Sequence, residues 1–452
     1  MDRQTVSLRK FRLNVNACVS TFTMALAIVF ALTLLTTHAV QAQTFSVIYN
    51  LIGGTDGEYP DAGVTVGPSG VLYGTAVFGG TGGAGTVFKL RQVNSSWVFS
   101  PLYEFTGGSD GARPIGGVVI GPNGALYGTT QYGGYMGGDC GSGGGCGVAY
   151  ELRPAATFCR SVLCYWNETV LHAFTGTGDD GIYPGYENLA FDQAGNIYGT
   201  TSKGGNGGNC GPGACGTVFE LIPSGGEWTE SIIHNFSGTD GDQPEAGVVL
   251  DAAGNVYGTT LYGGTGTECN DNCGTVYQLM PSNGRWVESV LVNFDGAGGS
   301  YPYGGLIINQ SGSLYGTTTS GGPPGCQGFG CGVVYKLAPS DGGFTYSVPY
   351  SFSSYCFSLG GLAMDAAGNV FGVCNTGGAN GAGWIFELMS CSQACSVVDL
   401  HDFSGSDGLN PYGGPALDAN GNLYGTTQYG GTGNCDDGCG VVWEVAGVDS
   451  HP

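Results

Sequence analysis

The tripeptide Tyr-Gly-Thr, or a near variant of it, recurs at Tyr73, Tyr127, Tyr198, Tyr257, Tyr315, Phe371 and Tyr424, with spacings of 54, 71, 59, 58, 56 and 53 residues. A period in this range marks a repeat architecture, in which each copy is one supersecondary unit that buries its apolar face against its neighbours. The fourth copy reads "WTESIIHNFSG", "TDGDQPEAGVVLDAAG", "NVYGTTLYGG" and "TGTECNDNCGTVYQL". "SIIHNF" alternates faces and "AGVVLD" is a short buried run. "DAAGN" is a hairpin turn in which Gly254 is free to take positive φ, and Gly258 in "NVYGTT" is read as the place where another backbone comes close.

Four strand-like pieces in each of seven copies predict an all-β chain folded as a seven-bladed β-propeller. Glycine supports this reading: at 89 residues it weighs against helices, where each costs about 1 kcal/mol relative to alanine. A stacked solenoid is the rival, but solenoid ends need atypical capping repeats. Here the first copy ("FSVIYNL" onward) and the last ("CGVVWEV") are ordinary ones. The order of the pieces within a blade stays open.

"GNLYGTTQYGG" at 421–431, followed by Cys435, Cys439 and "GVVWEV" and preceded by "HDFSGSDGLNPYGG", resembles the Gloeo/Verruco tandem repeat of the bacterial choice-of-anchor tandem repeat proteins. The resemblance covers the chain beyond its first 42 residues. It implies an exported repeat protein with no established activity. The copy at Phe371, "VFGVCNTGG", is the degenerate one, and no recognisable anchor segment accompanies the repeats.

Residues 1–42 are unlike the rest: Arg3, Arg9, Lys10 and Arg12 precede the apolar run "FTMALAIVFALTLL" and then "THAVQAQ". This is the layout of a secretory signal peptide cleaved ahead of Gln43. Its 14-residue apolar run is shorter than the roughly 20 residues of a spanning helix. The expectation is therefore a signal peptide at 1–42 and one propeller domain at 43–452, secreted, periplasmic or at the cell surface, with no membrane span after cleavage. Cleavage removes four basic residues and one acid, taking the formal charge from 12 − 35 = −23 to 8 − 34 = −26. So acidic a surface repels phosphate backbones and excludes nucleic acid as a partner class.

Of the 17 cysteines, all but Cys18 lie beyond residue 42, and they come in couples. Cys140 with Cys146, Cys210 with Cys215, Cys269 with Cys273, Cys326 with Cys331, and Cys435 with Cys439 share one loop position. Copies one and six lack both members there, and loss in pairs is what disulfides predict. Cys159 with Cys164 and Cys391 with Cys395 lie between copies, leaving Cys356 and Cys374 for one another. Zinc is disfavoured for these couples because their separations vary, no histidine accompanies them, and export implies an oxidising compartment.

Chemistry is harder to place. His172, His234 and His401 stand where other copies have Tyr49, Tyr103, Val292 and Tyr350, which is the pattern of a strand-packing position. Asp56, Asp110, Asp180, Asp240 and Asp407 precede glycine in turns, and Asp192, Asp251, Asp365 and Asp418 open hairpins, both explained by turn chemistry. Calcium needs about six converging oxygen ligands and no copy shows its loop pattern, so no cofactor is expected. Glu187 replaces the glycine of other copies (Gly117, Gly247, Gly305) and is the single catalytic candidate. Phe78, Tyr132, Tyr262 and Tyr429, beside the Gly-Gly loops, are the ligand-binding candidates, since flat rings beside Thr and Gly suit sugars or extended peptides. Together these features favour a secreted binding or scaffold module for polysaccharide, cell-envelope components or an extracellular protein. A polysaccharide-active hydrolase or lyase with its site in the central channel, and a self-assembling surface protein, are the alternatives.

Overall fold

The computed structural model describes residues 43–448, apart from 138–139, 141–143, 156–164, 187, 209, 211–213, 270–271, 327–329, 358–359 and 390–394. The segment expected to be a signal peptide, Glu187, Cys159, Cys164 and Cys391 therefore lie outside the described residues.

The strands form seven antiparallel sheets arranged as the blades of a β-propeller. In blade 4 the innermost strand a is Val249–Leu250, followed by b (Val256–Thr260), c (Thr275–Ser282) and the outermost d (Arg285–Asn293). Blade 3 carries one further short strand, Gly181–Pro184. The piece of each copy that comes first in the sequence, such as "SIIHNF", is the outer strand of the preceding blade. As a result the first strand, Thr44–Asn50, has no blade of its own and pairs with Val441–Ala446 of blade 7, with Thr44 opposite Ala446 and Asn50 opposite Val441. This pairing closes the ring.

Each residue of the Tyr-Gly-Thr motif has its own packing task, and two of the three reach across to the next blade. The tyrosine meets an aromatic of the following blade's strand d edge-on: Tyr127 with Trp228, Tyr198 with Trp286, Tyr257 with Phe344, and Tyr424 with Trp97 across the closure. The threonine hydroxyl donates to a carbonyl ahead of the next inner strand: Thr75 to Gly116 at 3.1 Å, Thr200 to Ala246 at 2.7 Å, and Thr426 to Ala62 at 2.7 Å. The glycine lies opposite an aromatic of strand c in its own sheet, Gly258 opposite Tyr277 and Gly425 opposite Trp443. A Cβ on Gly258 would lie 2.3 Å from the Tyr277 hydroxyl, and one on Gly425 2.3 Å from the Trp443 ring. The close approach expected at Gly258 is thus to a side chain, not a backbone. The apolar clusters follow the same logic, each spanning two blades, as where Tyr198, Val218 and Phe236 meet Val256, Tyr277 and Leu279.

The a–b hairpin turns of blades 3 to 7 behave as Asx turns, opened by Asp192, Asp251, Asn309, Asp365 and Asp418. Asp251 Oδ1 accepts from the Ala253 and Asn255 N–H groups at 2.9 Å each, and Gly254 has φ 81°. Cys140–Cys146, Cys210–Cys215, Cys269–Cys273, Cys326–Cys331, Cys356–Cys374 and Cys435–Cys439 are joined as disulfides, and Cys395 is also disulfide-bonded. Disulfides on this scale fit an extracellular or periplasmic protein. Among the described residues no helix is long and apolar enough to cross a membrane.

Candidate functional site

The end of the ring where strand b finishes and the next copy begins is built on an unusual backbone position. Just before the proline that leads into six of the seven inner strands, Tyr59, Arg113, Tyr183, Gln243, Tyr301 and Asn410 all have φ between 54° and 59°. For residues other than glycine this left-handed conformation persists only where surrounding contacts impose it. Here both peptide groups are held. The Tyr59 N–H donates to the Cys439 carbonyl of blade 7 at 3.1 Å, and its carbonyl accepts from the Val77 N–H of blade 1 at 3.1 Å. Gln243 is held in the same way, by the Cys215 carbonyl and the Leu261 N–H, each at 3.0 Å.

The four aromatic candidates sit immediately beside these residues, Phe78 bridging to Glu58, Tyr132 to Ala112, Tyr262 to Asp242 and Tyr429 to Leu409. All four are half-buried. The structure joins three of them into an arc of rings across blades 7, 1, 2 and 3. Tyr429 meets Tyr59 at 5.0 Å between ring centroids, and Tyr59 meets Phe78 at 5.9 Å. The Arg113 guanidinium bridges the next gap, 5.0 Å from the Phe78 ring and 4.9 Å from that of Tyr132. Tyr132 then meets Tyr183 at 5.3 Å. Tyr262 stands apart from the arc, against Tyr301 at 5.7 Å. Blades 3, 5 and 6, with Lys203, Ser320 and Thr376, interrupt the aromatic pattern.

Inside this arc the central channel opens, enclosing about 640 Å³. Its walls are largely aliphatic, with Val66, Leu250, Ile308 and Leu417 from the inner strands, while Asp61, Tyr186, Tyr303 and Tyr412 line its mouth. Tyr186 and Tyr303 are 5.7 Å apart, and the Gln131 amide donates to the Tyr186 hydroxyl at 3.2 Å. Asp61 accepts from Gln428, while its Oδ1 is buried with no hydrogen-bond partner. Glu245, beside Tyr186 and Tyr303, likewise has an unpartnered Oε2. Burial pushes the carboxyl of Asp61 up to about 7, against the Gln428 hydrogen bond. Glu245 is pushed up to about 7, chiefly by burial, with Lys203 opposing and Asp242 reinforcing the shift. Both carboxyls thus hold a proton near neutrality and are chemically able to give one up.

The sequence marks these mouth residues only faintly. The position after the proline reads Asp61, Ile115, Gly185, Glu245, Tyr303 and Tyr412, and in the third copy Tyr186 follows one residue later. Glu187, the catalytic candidate, lies outside the described residues.

A second set of ionisable groups lies on the outer rim, where the histidine position meets the next blade. His172, His234 and His401 do more than pack. Their Nε2 atoms lie 3.4, 3.1 and 3.0 Å from the turn carboxylates of Asp180, Asp240 and Asp407. On the next blade the facing residue is a ring at some interfaces: Phe99 stacks on Tyr49 at 4.7 Å and Phe45 on His401 at 3.4 Å. At three consecutive interfaces it is instead a glutamate, with Glu168 facing Tyr103, Glu230 facing His172 and Glu288 facing His234. The Oε1 of each is buried with no hydrogen-bond partner.

No curated protein matches this sequence. Among solved structures, the extracellular domain of a candidate one-component system from B. thetaiotaomicron is similar at 11% identity and a TM-score of 0.51, covering 88% of this chain and 40% of that one. The chain thus spans less than half the length of that protein, and the likeness is one of fold. A candidate 6-phosphogluconolactonase from Bacteroides uniformis matches at 14% identity and a TM-score of 0.49, covering 81% of this chain and 89% of that one. The model of the Gloeobacter/Verrucomicrobia repeat matches residues 23–210 and 140–386. With its motif repeated around the whole ring, the chain belongs to the Gloeobacter/Verrucomicrobia repeat family.

Proposed function

We propose that this chain is an exported binding module, released by cleavage ahead of Gln43, that holds a polysaccharide chain across the face bearing the channel mouth. The observation that carries the reading is the unbroken arc Tyr429, Tyr59, Phe78, Arg113, Tyr132 and Tyr183. Half-buried rings held by their neighbours offer apolar faces to sugar C–H groups at little cost in side-chain ordering. Arg113 and the mouth residues Gln131 and Gln428 add donors for hydroxyls or uronate carboxylates.

The test is retention of residues 43–452, disulfides intact, on a panel of immobilised neutral and acidic polysaccharides, with released reducing or unsaturated ends measured in parallel. Retention without new ends, weakened by Tyr132→Ala and by Arg113→Ala, is the expected result. New ends that disappear in Asp61→Asn or Glu245→Gln would instead favour a polysaccharide-active enzyme, a reading supported by the two mouth carboxyls that hold protons near neutrality. Silence on every polymer would remove polysaccharide as the ligand class.

A further inference from the structure

The rim between blades 2 and 3 holds a constellation that the binding face does not use. His172 Nε2 lies 3.4 Å from Asp180 Oδ1 and 3.4 Å from Glu230 Oε2. One ligand atom from each residue falls within 4.8 Å of the other two. The three side chains already meet one another, His172 at Asp180 Oδ1 and Glu230 by a side-chain hydrogen bond to Asp180. Asp180 Oδ2 is occupied by Thr175, whose N–H and hydroxyl donate to it at 2.7 and 2.6 Å, so that Oδ1 is the oxygen turned to the imidazole. The Phe174 ring stands edge-on to His172 at 4.7 Å and fixes the imidazole plane. Glu230 Oε1 has no hydrogen-bond partner.

Two carboxyls side by side in a half-buried site repel one another unless a proton or a cation lies between them. Nothing in the fold requires a glutamate at this position, because Phe45 and Phe99 fill its equivalents against His401 and Tyr49. An acid retained opposite an imidazole and a second carboxylate is the donor set of a metal site.

We propose that His172, Asp180 and Glu230 bind one first-row divalent transition ion, zinc by the chemistry of the set, and that the ion ties blade 2 to blade 3. One imidazole nitrogen and two carboxylate oxygens suit zinc or cobalt, with the remaining coordination left to water. Calcium, which takes six to eight oxygens, fits such a set poorly. The site lies on the outer rim, so binding there is independent of the polysaccharide face.

The test uses the full ring with its disulfides intact, stripped with chelator and titrated with Co2+ and then Zn2+. The expected result is one stoichiometric equivalent of Co2+ with a visible absorption band, displaced by Zn2+, and a higher melting temperature with Zn2+. Glu230→Phe recreates the ring-on-histidine pair of His401 and Phe45 and is expected to fold, yet to lose the band. Glu230→Gln, which keeps the shape, is expected to bind at least ~10-fold more weakly. His234→Tyr, at the next interface, keeps the band. A wild-type protein with no stoichiometric Co2+ equivalent, or a band that survives both Glu230 variants, would overturn the proposal.

Discussion

The glycine of the Tyr-Gly-Thr motif gives the sharpest test of how a blade is packed. In blade 4 a Cβ on Gly258 would stand 2.3 Å from the Tyr277 hydroxyl oxygen, 2.5 Å from Cζ and 3.0 Å from Cε1. Ordinary contact is near 3.5 Å, so the ring would have to move by about 1 Å. It has little room to do so, being 0% exposed and 5.0 Å edge-on from Phe236 of blade 3. Overpacking of this kind costs about 1–3 kcal/mol, against roughly 0.5–1 kcal/mol gained by removing a glycine from a strand. Gly258→Ala is therefore expected to destabilise by about 1–2 kcal/mol, read as a lower denaturation midpoint at unchanged slope. Gly298→Ala is the control, since its Cβ would meet nothing closer than 3.4 Å and the change should be near neutral. In a Tyr277→Leu background the smaller side chain vacates the space, and Gly258→Ala should then cost at least ~1 kcal/mol less than it does alone. An alanine as harmless at 258 as at 298, or one whose cost is the same in both backgrounds, would refute this account of the motif.

Other outcomes follow from the same geometry. Asp61, facing Gln428 and Tyr412, and Glu245, facing Lys203, Asp242, Tyr186 and Tyr303, are each raised to about 7 in the folded ring, against about 4 when unfolded. The folded state holds these protons more tightly, so their contribution to stability is complete below about pH 4 and is lost as pH rises through about 7. Melting temperatures of Asp61→Asn with Glu245→Gln should accordingly fall less between pH 5 and 8 than those of the parent. Replacing both Cys269 and Cys273 by serine removes a five-residue loop constraint worth about 2 kcal/mol, which should expose the 264–274 loop to protease while the ring stays closed on size exclusion. Deleting residues 43–50 leaves Val441–Ala446 as an unpaired edge and should turn a single species into associating ones by light scattering. A deletion variant with the size and melting temperature of the parent would show that closure is dispensable.

The blade count could be read from the sequence because the Tyr-Gly-Thr run or its near variant marks one strand of every copy and an Asx hairpin marks the turn of most. Disulfide couples were legible for the same reason, their partners lying four to six residues apart in the shared loop. What escaped depends on contacts between distant residues. The first strand-like piece of each copy belongs to the preceding sheet, a matter of hydrogen bonding that alternation does not report. Gly258 is explained only by Tyr277 on the neighbouring strand, and Glu230 only by His172 on another blade. The arc of rings was half visible. Phe78, Tyr132 and Tyr429 could be named from their place beside the loops, but not Tyr59, Arg113 and Tyr183, whose positions depend on a left-handed backbone that composition conceals.

Ring closure also has a meaning in time. Among the described strands Thr44–Asn50 is made first, and the Thr432 N–H that donates to Asn50 Oδ1 is made 382 residues later. At roughly 5–20 residues per second of synthesis, that strand waits on the order of 20–80 s for a partner to exist. Through that interval its hydrogen-bonding groups are satisfied by water or by something other than the native sheet. Synthesis of Val441–Ala446 is thus the moment at which seven separate sheets can first become one object without an edge.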